Sequence, residues 1–141
     1  ASNPEKNFFV LQNKDLYETY RNADLLVPDG IGVVLAARIL HGLKLKRLPG
    51  VDLMWNICSL AHREGFSIYI YGSKEEVNKK AVAVLQDKYP GIRIAGRSNG
   101  YILEEKNPEL VAAINRSGAQ ILFIALGSPR QELWPLRARS R

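Results

Sequence analysis

Cysteine, histidine and long apolar runs are what this 141-residue sequence has least of. Its one cysteine, Cys58, excludes an internal disulfide, and a reducing cytoplasmic setting fits. Cys58 and His62 lie four apart in one helical stretch without a third ligand, so they read as packing and surface. With one other histidine in the chain, a transition-metal site is not expected. No apolar run approaches the roughly 18 residues of a membrane-spanning helix. The start lacks the basic-then-apolar pattern of a signal peptide. Internal repeats and low-complexity stretches are absent too, so no linker divides residues 1–141, which read as one domain.

What is present is ordinary for a globular protein: 46% hydrophobic and 24% charged residues. The net charge of +6 favours anionic partners such as nucleic acid, anionic lipid or phosphorylated small molecules, or else a solvated basic surface. Arg130, Arg137, Arg139 and Arg141 crowd the final segment, whereas the acids are scattered. A nucleic-acid partner is not expected, because aromatic and basic residues do not interleave and no known module signature occurs.

Helical and extended patterns alternate along the chain. Asn3-Pro4-Glu5 reads as a helix start, with helix continuing to Asn22 and a break near Asn13. Leu25-Leu26-Val27 predicts a short buried strand ending at Pro28-Asp29-Gly30. Helices follow over 31–40, closed by Gly42, and over 51–63, closed by Gly65. Residues 67–71 predict a strand, and 75–89 a helix with Val77, Ala81, Val84 and Leu85 on its apolar face. Residues 92–94 predict a strand, 108–117 a helix, and 121–126 a continuous apolar strand covered on both faces. A last helix is expected over 129–137, with Pro135 distorting it. Tyr69, Tyr71 and Phe123 read as core. The alternation predicts the α/β class: a single-domain, Rossmann-like, mostly parallel sheet with helices on both faces.

In such sheets ligands bind outside the carboxyl ends of the strands. Three loops fall there: Pro28-Asp29-Gly30, Gly72-Ser73-Lys74 and Gly127-Ser128-Pro129-Arg130-Gln131. Gly30-Ile31-Gly32 hints at a dinucleotide fingerprint, but Leu35 stands where that fingerprint needs Gly or Ala, and the acid precedes the loop. A tight turn is the plainer reading. Asp29, at the lip of a crevice and partly shielded from water, suits a proton acceptor; its plainer role is to cap the following helix. The Gly127–Gln131 junction offers helix-start N–H groups, a hydroxyl and an arginine to a diphosphate, and Gly72-Ser73 offers a second cradle. Either could be an ordinary turn with a capping serine. Arg47 could meet a phosphate or be solvated like Lys44 and Lys46. Tyr101, beside Gly100, is the aromatic best placed to contact a base or sugar. No Asp-x-Asp occurs, the usual cue for a metal holding a sugar-nucleotide diphosphate, so cations and helix dipoles would have to carry the leaving-group charge.

These segments together resemble the WecG/TagA/CpsF glycosyltransferases (family 26). The resemblance rests on Asn3-Pro4-Glu5, the run from Ala23 to Val34 around Asp29, Gly50-Val51-Asp52-Leu53, Tyr71-Gly72-Ser73, Gly100-Tyr101 and the run from Ala125 to Trp134. It covers essentially the whole chain in order. Membership implies an inverting, metal-independent transferase without a cofactor, making a β-linked disaccharide on undecaprenyl diphosphate. In the TagA-like branch the donor is UDP-N-acetylmannosamine and the acceptor is N-acetylglucosamine-diphospho-undecaprenol, and the product primes wall teichoic acid. Siblings take UDP-N-acetylmannosaminuronic acid or UDP-glucose. By motif, Asp29 resembles the catalytic base, Arg47 a phosphate contact and Gln131 a substrate-positioning residue. Asn3, Gly30, Gly32, Asp52, Gly72, Ser73, Tyr101, Gly127, Ser128 and Arg130 fall at substrate-binding positions.

The sequence departs from the family where Ala1 stands in place of the usual threonine. Members also carry an amino-terminal strand segment and a basic carboxyl-terminal appendage thought to close the site and touch the membrane. The resemblance therefore implies a truncated catalytic core over 1–141. It also implies a protein peripheral at the inner face of the bacterial membrane and prone to self-association through an uncovered apolar surface.

Overall fold

The computed structural model describes residues 1–139; Arg141, one of the clustered arginines, lies outside them. The chain packs as two compact units, Ala1–Asn56 and the remainder from Ile57.

In the first unit, Asn3 caps helix α1 (Pro4–Val10) by accepting a 2.8 Å hydrogen bond from the Lys6 N–H. Asn13 does the same for α2 (Lys14–Arg21), taking the Leu16 N–H at 3.0 Å. A second cap where the first helix ends explains the break: Asn13 satisfies new N–H groups better than it continues the old helix. Leu16, fully buried, and Val10 are the apolar residues these helices bury. Helix α3 (Ile31–His41) stops at Gly42, whose φ of 67° an L side chain adopts only with strain.

The segment before α3 corrects an expectation. Leu25-Leu26-Val27 is extended but is not a buried strand: its ladder is a single parallel bridge between Ser2 and Pro28. Ser2 N–H donates to Val27 O and Asp29 N–H to Ser2 O. Val27 is buried, but Leu25 is 72% and Leu26 45% exposed. A strand is defined by its neighbours, and among the described residues this segment's one β-bridge is to Ser2.

Helix α4 (Gly50–Glu64) carries the chain into the second unit, where Cys58 and Ala61 are buried. That unit is built on three parallel strands, β1 (Ser67–Gly72), β2 (Arg93–Ser98) and β3 (Ile121–Ala125), in the order β2-β1-β3. Helices α5 (Glu75–Lys88), α6 (Asn107–Arg116) and α7 (Arg130–Arg139) complete it, with a 3₁₀ turn at Glu104–Lys106. The fold class is α/β, with an open, all-parallel, Rossmann-like sheet. Helix α7 runs through Pro135 to Arg139.

β1 is the central strand, and Ile68 to Tyr71 are all buried, as a run of apolar residues in a sheet covered on both sides should be. β3 is not covered in that way. It lies at an edge of the three strands, and Leu122 and Ala125 are exposed. Tyr71, Leu110 and Trp134 form a core cluster, with the Tyr71 and Trp134 rings 4.9 Å apart. Tyr69 lies over Gly96, where a Cβ would meet its ring, and its hydroxyl shares a 2.6 Å hydrogen bond with Ser98 Oγ. Phe123 is only partly buried.

The buried face of α5 is also displaced from the expected one. Leu85 is buried, but Val77 and Val84 are 53% and 44% exposed, and the other fully buried position is Asn78.

Candidate functional site

Within the first unit, the chain brings Asp29 and Arg47 together. Asp29 follows the Ser2-paired segment and is half-buried. It does not cap α3: Gly30 occupies the N-cap position, and among the described residues no side chain makes the capping hydrogen bond. The capping role is thereby removed, leaving the carboxylate for other work. Arg47 lies in the polar stretch between α3 and α4, and its Nε donates to Asp29 O at 2.6 Å. Leu48 N–H donates to Pro28 O at 2.9 Å, tying the same stretch to the same turn. Asp29 Oδ2 lies 3.5 Å from where a Cβ on Gly50, the first residue of α4, would sit. Asp52 is exposed in the first turn of α4.

Gly30 and Gly32 owe their places to packing. A Cβ on Gly30 would lie 2.8 Å from Pro4 Cδ, and one on Gly32 2.9 Å from Pro4 Cγ. Two glycines let α3 begin against the start of α1, and this accounts for the G-x-G spacing without a dinucleotide. Asn3 is engaged as the cap of α1.

The second unit gathers residues from the carboxyl ends of all three strands. Ser73 follows β1, Gly100 and Tyr101 follow β2, and Ala125, Leu126 and Gly127 end β3; with Arg130 they line a cavity of about 190 Å³. Since β2 and β3 flank β1 on opposite sides, the crevice by β1 and β3 is where successive crossovers diverge, and open parallel sheets take ligands there. Gly72 is indispensable to its shape. Its φ is 101°, and a Cβ there would collide with the Ala125 carbonyl oxygen.

Arg130 Nη2 donates to Gly100 O at 2.9 Å, fixing the guanidinium at the cavity wall. Tyr101 is 67% exposed, its N–H held by Asn99 Oδ1. Ser73 Oγ accepts the Lys74 N–H at 2.6 Å and is not the N-cap of α5, a position Lys74 holds. The helix-start cradle at α7 is narrower than expected. Gln131 N–H is bonded to Gly127 O, and Glu132 and Leu133 N–H to Pro129 O, so these three N–H groups are already engaged within the turn. Ser128 is exposed in the turn, and Gln131 Nε2 donates to Glu132 Oε1 at 3.0 Å.

A second cavity of about 140 Å³ lies between Tyr71, Ile102, Asn107, Leu126, Arg130 and Trp134. Trp134 Nε1 donates to Asn107 Oδ1. Burial pushes the Tyr71 hydroxyl above its ordinary range, and the nearby Arg130 charge opposes that rise. Among the described residues, no three of His, Cys, Asp and Glu converge as a metal site, and no helix is long and apolar enough to cross a membrane.

Sequence reasoning missed Asn78, which is buried and donates to carbonyls at the ends of β1 and β2.

The whole chain, residues 1–141, matches the glycosyl transferase WecG/TagA/CpsF family. The chain belongs to that family. It is 34% identical over 131 residues to the N-acetylglucosaminyldiphosphoundecaprenol N-acetyl-beta-D-mannosaminyltransferase of Bacillus subtilis, covering 92% of this chain and 50% of that protein. It is 32% identical over 134 residues to the protein of the same name from Bacillus spizizenii, covering 95% of this chain and 51% of that one. The chain thus spans about half the length of these curated relatives. In this family member the strand-end glycines and Arg130 fall around one cavity, and Asp29 and Arg47 fall at one turn.

Proposed function

We propose that this chain is the catalytic core of a transferase that moves N-acetylmannosamine from UDP-N-acetylmannosamine to undecaprenyl-diphospho-N-acetylglucosamine. The proposal carries over the activity named for the two Bacillus relatives. The observation that supports it most is Asp29, a half-buried acid that does not cap α3 and whose main-chain oxygen accepts a hydrogen bond from Arg47.

In the proposed reaction, the Asp29 carboxylate takes the proton from the acceptor sugar's attacking hydroxyl. That oxygen bonds to the donor's anomeric carbon as the bond from this carbon to the UDP oxygen breaks, and the configuration inverts. Arg47 meets phosphate charge, and Gln131 positions substrate. Arg130, Ser73 and Tyr101 in the second unit's cavity hold the UDP moiety. Arginine can bind a diphosphate through paired N–H groups, which suits a site working without a metal. The lack of an Asp-x-Asp pair supports that reading. The enzyme then works at the membrane surface where its lipid-linked acceptor resides.

The test is a product assay on the full-length protein with UDP-N-acetylmannosamine, UDP-N-acetylmannosaminuronic acid and UDP-glucose, a soluble lipid-diphosphate acceptor analogue, and EDTA in parallel. Formation of the N-acetylmannosamine disaccharide at a rate unchanged by EDTA is expected. Preference for another donor would move the protein to a sibling activity. A rate abolished by EDTA and restored by Mn²⁺ or Mg²⁺ would contradict metal independence.

A further inference from the structure

Helix α5 buries a polar side chain where its sequence predicts an apolar one. Asn78 is 1% exposed. Its Nδ2 faces three main-chain carbonyls: Ile70 O at 3.2 Å, Ser98 O at 3.1 Å, and Gly72 O. An amide nitrogen brings two protons and an amide oxygen none, so three acceptors around one terminus identify it as the nitrogen. The other terminus, Oδ1, is buried and accepts no hydrogen bond among the described residues. An unmet buried acceptor is unfavourable, and an apolar residue would avoid it. The benefit of Asn78 therefore lies in what its nitrogen holds.

Ile70 and Gly72 end β1, and Ser98 ends β2. The residues just beyond them, Ser73 and Gly100-Tyr101, are walls of the cavity. These two loops are themselves locked together. Gly100 N–H donates to Ser73 O at 2.7 Å, and a Cβ on Gly100 would lie 2.7 Å from Leu126 Cδ2 and 3.2 Å from Gly72 Cα. One amide thus clamps both loops at their roots.

We infer that Asn78 is a positioning residue: it sets the spacing of the β1 and β2 loops that grip the nucleoside diphosphate, an inference resting on the function proposed above. Asn78 acts through Gly72, Ser73 and Gly100.

The experiment compares the wild-type chain with Asn78→Ala, Asn78→Ser and Leu85→Ala, measuring UDP affinity by calorimetry and amide exchange at Gly100. Leu85 is buried on the same helix, 1% exposed, and serves as a control for lost stability. Both Asn78 variants are expected to weaken UDP binding by about tenfold or more, because small displacements of binding groups are costly. They are also expected to speed exchange of the Gly100 N–H, while Leu85→Ala lowers the melting temperature and leaves both readouts unchanged. The milder serine variant keeps the comparison decisive if the alanine variant does not fold. Asn78 variants that match Leu85→Ala in UDP affinity, or that leave Gly100 exchange at the wild-type rate, overturn the inference. Absence of UDP binding by the wild type would instead strike the functional reading, and Gly100 exchange would still decide whether Asn78 is the clamp.

Discussion

Arg47 Nε donates a 2.6 Å hydrogen bond to the main-chain oxygen of Asp29, across a sequence separation of 18 residues. The bond uses one of five guanidinium donors and orients the rest, which lysine's single ammonium cannot reproduce. Arg47→Ala is expected to lower kcat/KM of the full-length enzyme by about 10²–10³, the cost of one placed donor to developing charge. Arg47→Lys should restore only part of that loss. Steady-state kinetics with varied acceptor check this, and a lysine variant at the wild-type rate would reduce Arg47 to a bare charge.

Gly72 meets two constraints at once, a φ of 101° and a carbonyl where its Cβ would stand. Gly72→Ala should therefore cost at least about 2 kcal/mol, from backbone strain and displaced neighbours. For a chain of this size that is on the order of 5 °C in melting temperature. Thermal unfolding followed by circular dichroism reads the shift.

Cys58 is fully buried, and burial pushes its thiol above the ordinary value of 9.0. The folded chain then holds the proton more tightly than the unfolded chain. This contribution to stability is complete below pH 9.0 and declines as the pH rises through the folded value. Native protein at pH 8 is expected to react with a thiol reagent far more slowly than protein in denaturant. Equal rates would show that the site opens freely.

The helices were legible because their ends carry chemistry that acts locally. Asn3 caps, Pro4 begins, and Gly42 and Gly65 close with positive φ, so neighbouring residues suffice to place the boundaries. Strands depend on what lies beside them. Leu25-Leu26-Val27 has strand composition but, among the described residues, a single bridge at its end to Ser2, whereas Ala95 to Ser98 lacks that composition and is a strand because β1 pairs with it. The loops around Gly72 and Gly127 were legible as strand ends, and the structure gathers them around a cavity. Asn78 was not legible. Its value comes from carbonyls six and twenty residues away, and no spacing in α5 marks it.

The same division applies to Asp29. Its position before a glycine turn was visible in the sequence, but its release from capping required the geometry of Gly30. A general base contributes about 10²–10⁴-fold, and Asp29→Asn keeps the shape while removing the proton acceptor. The decisive measurement is turnover of the full-length Asp29→Asn enzyme alongside its UDP affinity. A rate lower by about 10²–10⁴ is expected, with UDP binding within about threefold of wild type. A variant that turns over at close to the wild-type rate would remove Asp29 from the mechanism.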